Sequence, residues 1–401
     1  MPKKNITTKK TSKKNLSKKI VKKSVAKKSS VKKTKAVLKS KKSPKKPKSV
    51  LKPKKLLKKP KSEFELKKHP ENPIIRPKRE NEWESYQTFN PAAIFENGRV
   101  HILYRALGSD GVSRLGYASS ADGIHFDERL NEPVFVHYTK PFNASLQMPK
   151  DFFAYASGGS WAGCEDPRIT KIDDKIYMLF VAFDGWNIPR LAITSIKLKD
   201  FLNKKWKWSG SKIVSPEGII DKSGVIFPEK IDGKYVIMHR IFPNIQIDYL
   251  DNLDFENGKY LEEKDTIKIR KNKWDSRKIG AGAPPIKTKY GWLLIYYGVD
   301  DKRASQYKIG AMLLDLNNPA KVLKRTDKPI LEPIEWYENE GHKAGIAYPC
   351  GAVVIKNNLF VFYGGADTVV CVATANLDDF MKELISGKEP KLEKISETPK
   401  K

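Results

Sequence analysis

The chain has 401 residues, a formal charge of +31, and three cysteines, Cys164, Cys350 and Cys371, that form no CxxC pair. The odd thiol count argues for a reducing compartment over a disulfide framework, and no apolar run approaches membrane-spanning length. The basic N-terminus lacks the apolar stretch of a secretory signal, so a cytoplasmic, soluble protein is expected.

The charge is unevenly spread. Residues 1–62 hold 27 lysines and no arginine or acid, leaving the other 339 residues with only +4. This segment has almost no aromatic or bulky apolar content and cannot bury enough surface to offset the entropy of ordering, so disorder is expected. Its Lys-Lys pairs, with "KSPKKPK" at Lys42–Lys48, look like a linker-histone-type tail that binds polyanions without base specificity. An anionic membrane surface, a targeting role and a solubility role are the alternatives. Nucleic acid is favoured because no apolar anchor is present, although the lack of aromatics leaves no stacking platform for single strands.

Residues 63–385 are ordinary in composition and long enough for one large core, with 386–401 as a flexible C-terminal tail. Five segments share a pattern: "NPAAIFENGRVHILYRAL" from Asn90, "DPRITKIDDKIYMLFVAF" from Asp166, "FPEKIDGKYVIMHRI" from Phe227, "PPIKTKYGWLLIYYGV" from Pro284, and "YPCGAVVIKNNLFVFYGGA" from Tyr348. Each carries a proline, runs through a short apolar stretch, turns, and returns as an aliphatic-aromatic strand. The turns fall at Asn97-Gly98, Asp173-Asp174, Asp232-Gly233, Tyr290-Gly291 and Asn357-Asn358. A second strand motif follows each segment, at Ser113–Phe126, Arg190–Phe201, Ile245–Phe255, Tyr307–Pro319 and Val369–Phe380. Four strands per unit, with prolines spaced by 76, 61, 57 and 64 residues, predict an all-β, five-bladed β-propeller. A long β-sandwich is the alternative, but it would not repeat paired motifs in step.

In such a ring, the residues before the repeated prolines occupy corresponding places near the central channel. They are Asn90, Asp166, Phe227, Pro284 and Tyr348, and only Asp166 is acidic. The surrounding "GCEDPRI" (Gly163–Ile169) places adjacent carboxylates at a strand start, where an unpaired buried charge is costly. A purely structural role would more readily repeat the residue type, so Asp166 is expected to act chemically; a turn aspartate is the plain alternative. The six histidines show no metal-ligand spacing, so no catalytic metal is expected. "GAGAPP" (Gly280–Pro285) is no dinucleotide loop, because proline follows where a helix should begin. No cofactor is expected.

The blocks "CEDPRITKIDDKIYM", "FPEKIDGKYVIMHR", "WDSRKIGAGAPPIKTKYGWLLIYYGV", "KIGAMLLDLNNPAKVLKRTDKPILEP" and "YPCGAVVIKNNLFVFYGGADT" resemble the mannoside phosphorylases of glycoside hydrolase family 130, from about Pro70 to Phe380. The resemblance implies a five-bladed propeller that cleaves β-mannosides by attack of inorganic phosphate with inversion, giving α-mannose 1-phosphate. It makes Asp166 the general acid, with the proton delivered directly or through a sugar hydroxyl, and inorganic phosphate the co-substrate. A glycosidic oxygen leaves poorly unless protonated, and an inverting hydrolase needs a second carboxylate to activate water. A phosphorylase needs cations instead, because its nucleophile is already an anion.

By resemblance the phosphate ligands are Lys222, Arg240 and Lys278, with Tyr297 standing where family phosphorylases usually carry His. The sugar contacts carried over are Asn90, Arg105, Arg168, Tyr307 and Asp367. Glu165 either tunes Asp166 electrostatically or binds sugar hydroxyls. The leading expectation is an inverting β-mannoside phosphorylase. A β-mannoside hydrolase using Glu229 or Asp301 as base is the runner-up, favoured by Tyr297. A catalytically silent sugar-binding propeller, targeted to nucleic acid by its tail, is the third.

Overall fold

The computed structural model describes residues 66–137, 157–256 and 258–387. The lysine-rich segment 1–62 and residues from 388 onward lie outside them, as do the expectations attached to those stretches. The described chain is all-β, with three short α-helices at Leu198–Leu202, Trp336–Asn339 and Leu377–Ser386.

Its strands form five antiparallel meanders in chain order. The first comprises Gln87–Glu96, Arg99–Leu107, Val112–Ser120 and Glu128–Arg129; the second Ala162–Ile172, Lys175–Phe183, Arg190–Lys197 and Lys212–Ile213. A short parallel pairing of Val112 with Ala162 joins these two. The third comprises Asp221–Ile226, Tyr235–Ile241, Asn244–Leu250 and Asp265–Ile267. The fourth has Lys278–Ala281 and Ile286–Thr288, both paired to Gly291–Val299, then Lys308–Leu314 and Val322–Arg325. The fifth holds Ala347–Ile355, Asn358–Gly365 and Val369–Asn376, and its outer strand is supplied from the other end of the chain by Lys67–Lys68. The expectation that each unit draws all four strands from its own segment therefore fails in the last. After Asn376 the chain turns into a helix, with the Asn376 side chain accepting the amide of Asp379 as a cap.

The second strands read as continuous apolar runs because both faces are buried. Alternation sends successive side chains to opposite neighbours. In the fourth meander, Leu293 and Ile295 pack with Val361 and Tyr363 of the fifth, while Trp292 and Leu294 pack with Val236 and Met238 of the third. Ile237 packs with Leu179 of the second meander, and Phe180 with Leu103 of the first. Ile102 of the first meander meets Phe360 and Phe362 of the fifth. Each meander thus has two packing neighbours. Fully burying one such side chain contributes about 1.5–3 kcal/mol, so removing any interface exposes two apolar faces at once.

A polar device recurs inside this packing. The sixth residue after the hairpin turn is Tyr104, Phe180, His239, Tyr296 or Tyr363. In three meanders its hydroxyl donates to a fully buried carboxylate that also binds a cation from the outer strand: Tyr104 to Glu84 with Arg129, Tyr296 to Asp275 with Arg325, and Tyr363 to Glu338 with Lys68. A buried carboxylate without such partners would be strongly destabilising.

Two turns sit one residue earlier than expected. The fifth-meander hairpin turns at Lys356-Asn357, both in the left-handed region, and Ile355 already pairs with Asn358. In the fourth meander Thr288 pairs with Gly291, so Lys289 and Tyr290 form the loop. The turns at Asn97-Gly98, Asp173-Asp174 and Asp232-Gly233 stand where the sequence puts them.

Candidate active site

The first strands carry the site through a local irregularity. In the first three meanders the register slips by one residue, between Phe89 and Ala92, Glu165 and Arg168, and Lys222 and Val225. The slip contains a non-glycine residue of positive φ: Asn90 at 49°, Asp166 at 49° and Ser223 at 58°. Such a conformation costs roughly 1–2 kcal/mol per residue and concentrates at functional sites. Phe227 is therefore not the counterpart of Asp166. The bulge of the third meander falls four residues before Phe227, which is buried with its ring edge-on to Trp292. Pro284 likewise stays out of the site.

These bulges open onto a cavity of about 590 Å³, within the usual range for small-ligand sites. Nine expected residues line it: Asn90, Arg105, Asp166, Lys222, Arg240, Lys278, Tyr297, Tyr307 and Asp367. Glu165 and Arg168 do not. Arg168 is 2% exposed and is committed to protein, donating to the Gly282 carbonyl, the Asp166 carbonyl and the Tyr348 hydroxyl. In this arrangement Arg168 lies behind Asp166, outside the cavity lining, rather than among the groups that face it. Glu165 is fully buried against Arg105, Ser160 and Lys222, outside the cavity lining. Glu229 and Asp301, the expected hydrolytic bases, are exposed and paired with Lys287 and Arg277 outside the cavity.

Asp166 is held from several sides. Its Oδ1 accepts from Asn90 Nδ2 at 2.7 Å and Arg105 Nη1 at 3.1 Å. Asn90 reaches it because residue 364 is glycine; a Cβ there would stand 2.1 Å from Asn90 Oδ1. Arg105 is only 1% exposed, lies over the Phe89 ring, and spends its remaining donors on Ser113, Ser157, Ser160 and Glu165. It orients Asp166 from behind. Burial pushes the Asp166 carboxyl up, but Arg105, Arg168, the Asn90 hydrogen bond and Lys222 outweigh it and hold the group below its ordinary value. Asp367 goes the other way: burial raises it to about 6, the neighbouring Asp166 and Glu165 carboxylates push the same way, and Arg105 and Lys343 offset only part of it.

The opposite character gathers on the third and fourth meanders. Lys222 and Arg240 are cross-strand partners, and Lys278 opens the fourth meander. Arg240 Nε is buried with no hydrogen-bond partner among the described residues. Burial lowers Lys278 to about 7, reinforced by Arg240, Lys343, Lys222 and Arg277. Its ammonium donates to the Tyr307 hydroxyl and lies over that ring. Beneath run three tyrosines: the Ser223 hydroxyl bonds those of Tyr297 and Tyr348, each at 3.0 Å, and the Tyr297 and Tyr348 rings pack 4.7 Å apart.

Sequence reasoning did not single out several polar groups here, among them Lys343, His342 and Tyr348 of the lining and Ser223 bonded to the tyrosines. Tyr348 carried a signal, since it precedes a repeated proline. Ser223 had none, because its bulge is out of step with Pro228. Lys343 lies in the loop before the fifth meander and no strand pattern marks it. Among the described residues, no three His, Cys, Asp or Glu side chains gather as metal ligands.

The family model described as Glyco_hydro_130, beta-1,4-mannooligosaccharide phosphorylase, matches residues 65–385. The chain belongs to glycoside hydrolase family 130. Among its relatives, a 1,2-beta-oligomannan phosphorylase of Thermoanaerobacter sp. (strain X514) is 39% identical, over 78% of this chain and 98% of that protein. A beta-1,2-mannobiose phosphorylase of the same organism is 38% identical, over 77% and 96%. The solved structure of beta-1,2-mannobiose phosphorylase from Listeria innocua, in complex with beta-1,2-mannobiose, superposes with a TM-score of 0.60 at 26% identity, over 80% of this chain and 99% of that one. The family 130 chain described here is thus an enzyme of the mannoside-active class.

Proposed function

We propose that this family 130 enzyme is an inverting phosphorylase of β-1,2-linked mannosides, built on a five-bladed propeller, with Asp166 as general acid. The observation that carries it is the division of the cavity. Asp166 and Asp367 gather with Arg105 and Asn90, whereas Arg240, Lys343 and Lys222 crowd Lys278 enough to hold its pKa down even though Lys222 is paired with Glu165. Cations in that state favour an anionic ligand. The packing of the fifth meander on the first supports the ring. The β-1,2 linkage follows the activities named for the two Thermoanaerobacter relatives, in preference to the β-1,4 linkage in the family description.

The chemistry follows from the charges. Phosphate held by the cations attacks the anomeric carbon, the glycosidic bond breaks, and Asp166 gives its proton to the departing oxygen. A carboxyl held down by Arg105, Arg168 and Lys222 is ionised in the free site at neutral pH. An arriving phosphate offsets part of that positive field and raises the Asp166 pKa, so the acid gains its proton as the nucleophile arrives. Incubation with β-1,2- and β-1,4-mannobiose, with and without phosphate, tests the reading. Mannose 1-phosphate from the β-1,2 isomer is expected; free mannose released at the same rate without phosphate would establish a hydrolase.

For residues 1–62 the reading is a polyanion-binding segment, because they carry +27 of the +31 charge. Their deletion should leave catalysis unchanged and abolish retention of duplex DNA in a mobility-shift assay. Equal retention by the truncated protein would move the binding site to residues 63–401.

A further inference from the structure

The third meander uses its buried carboxylates unlike the others. Where three meanders place tyrosine, it places His239, and the ring is bonded by two acids. Nδ1 lies 2.8 Å from Asp221 Oδ2, and Nε2 lies 3.0 Å from Asp248 Oδ2. All three residues are buried, and none lines the cavity. An imidazole with a carboxylate oxygen at each nitrogen donates from both, and so is a cation. Burial opposes that charge, but Asp221 and Asp248 overcome it and raise the ring to about 9. Asp248 is itself fixed by the amides of Glu262 and Glu263.

The three residues come from three adjacent strands, and two of them are chain neighbours of the cavity cations. Asp221 precedes Lys222, His239 precedes Arg240, and Lys222 and Arg240 are paired across the ladder. Strand alternation turns Asp221 and His239 away from the cavity and their neighbours into it. The strand bearing Lys222 leaves the ladder just beyond it, at the Ser223 bulge, so few backbone bonds fix its distance from Arg240.

We infer that His239, bonded between Asp221 and Asp248, is a positioning residue for phosphate: it sets the relation of Lys222 to Arg240 without touching either substrate. This rests on the phosphorylase reading. His239→Gln keeps a similar volume but no longer donates to both acids as a cation. At metal centres, loss of an outer partner of a ligating group costs about tenfold to a hundredfold in affinity, and the lower end of that scale is the expectation for a phosphate held by cations. The KM for phosphate should rise by about tenfold, the KM for the mannoside by less than twofold. In an Arg240→Ala background the same substitution should add little, because its effect passes through Arg240. Asp248→Asn, one strand further from the cavity, should raise the phosphate KM in the same direction, and it serves if His239→Gln fails to fold. An unchanged phosphate KM in folded variants, an equal rise in both KM values, or full additivity with Arg240→Ala would overturn the inference. A wild type indifferent to phosphate would instead overturn the phosphorylase reading.

Discussion

Asp166→Asn is expected to slow cleavage of an unactivated β-mannoside by roughly a thousandfold or more, the scale that a positioned general acid contributes. The substitution is mild in every other respect. Asparagine tolerates the positive φ of this position as well as aspartate does. Its side-chain oxygen can still accept from Asn90 and Arg105, which both address Oδ1. What disappears is the transferable proton. A mannoside with an aryl leaving group of low pKa needs little protonation and should lose far less. Wild-type turnover of a disaccharide by Asp166→Asn would remove Asp166 from the acid's role, and Asp367, poised at about 6 on the same cavity wall, would be the carboxyl to examine next.

How much of this was legible depended on whether the signal was local. The Asn97-Gly98 and Asp232-Gly233 turns announce themselves, because a tight hairpin needs residues that accept positive φ. The apolar second strands were equally plain, since burial on both faces removes polar alternation. Lys67–Lys68 was not legible as a strand. Two lysines at the edge of a lysine-rich run carry no period, and only pairing with Thr374 and Ala373 defines them. The proline register misled in the third meander because the bulge that shapes the site moves independently of the proline that follows it. Asp166, Lys222, Arg240 and Lys278 were legible as candidates and do line one cavity, but which neighbours stand behind them was not. Arg168 and Glu165 carry the same charges as true cavity residues, and only burial and partner geometry separate a brace from a contact. Glu84, Asp275 and Glu338 were invisible for a related reason: each lies in a loop or short helix, and its tyrosine and outer-strand cation lie 20 to 270 residues away.

The cation cluster yields the second large effect. Arg240→Ala should raise the KM for phosphate by about tenfold to a hundredfold, the equivalent of roughly 1.5–3 kcal/mol for charge-assisted hydrogen bonds, and change the mannoside KM little. The pH dependence then separates Arg240 from Lys278. In the free protein Lys278 is lowered from 10.5 to about 7, first by burial and then by Arg240, Lys343 and Lys222. Bound phosphate reverses the sign of that local field and raises the pKa, so binding takes up a proton at pH values between about 7 and the raised value. Phosphate affinity must therefore fall as pH rises through that value. Lys278→Arg keeps its charge throughout, and the ratio of wild-type to variant KM cancels the ionisation of phosphate itself. That ratio should climb between pH 7 and 9. In Arg240→Ala the climb should begin at higher pH, because a principal repulsion on Lys278 is gone. Calorimetric titration with phosphate in two buffers of different ionisation enthalpy reads the proton uptake directly. A flat ratio together with no uptake would mean that Lys278 stays charged in the free site, and the crowding of cations would then be relieved by some other group.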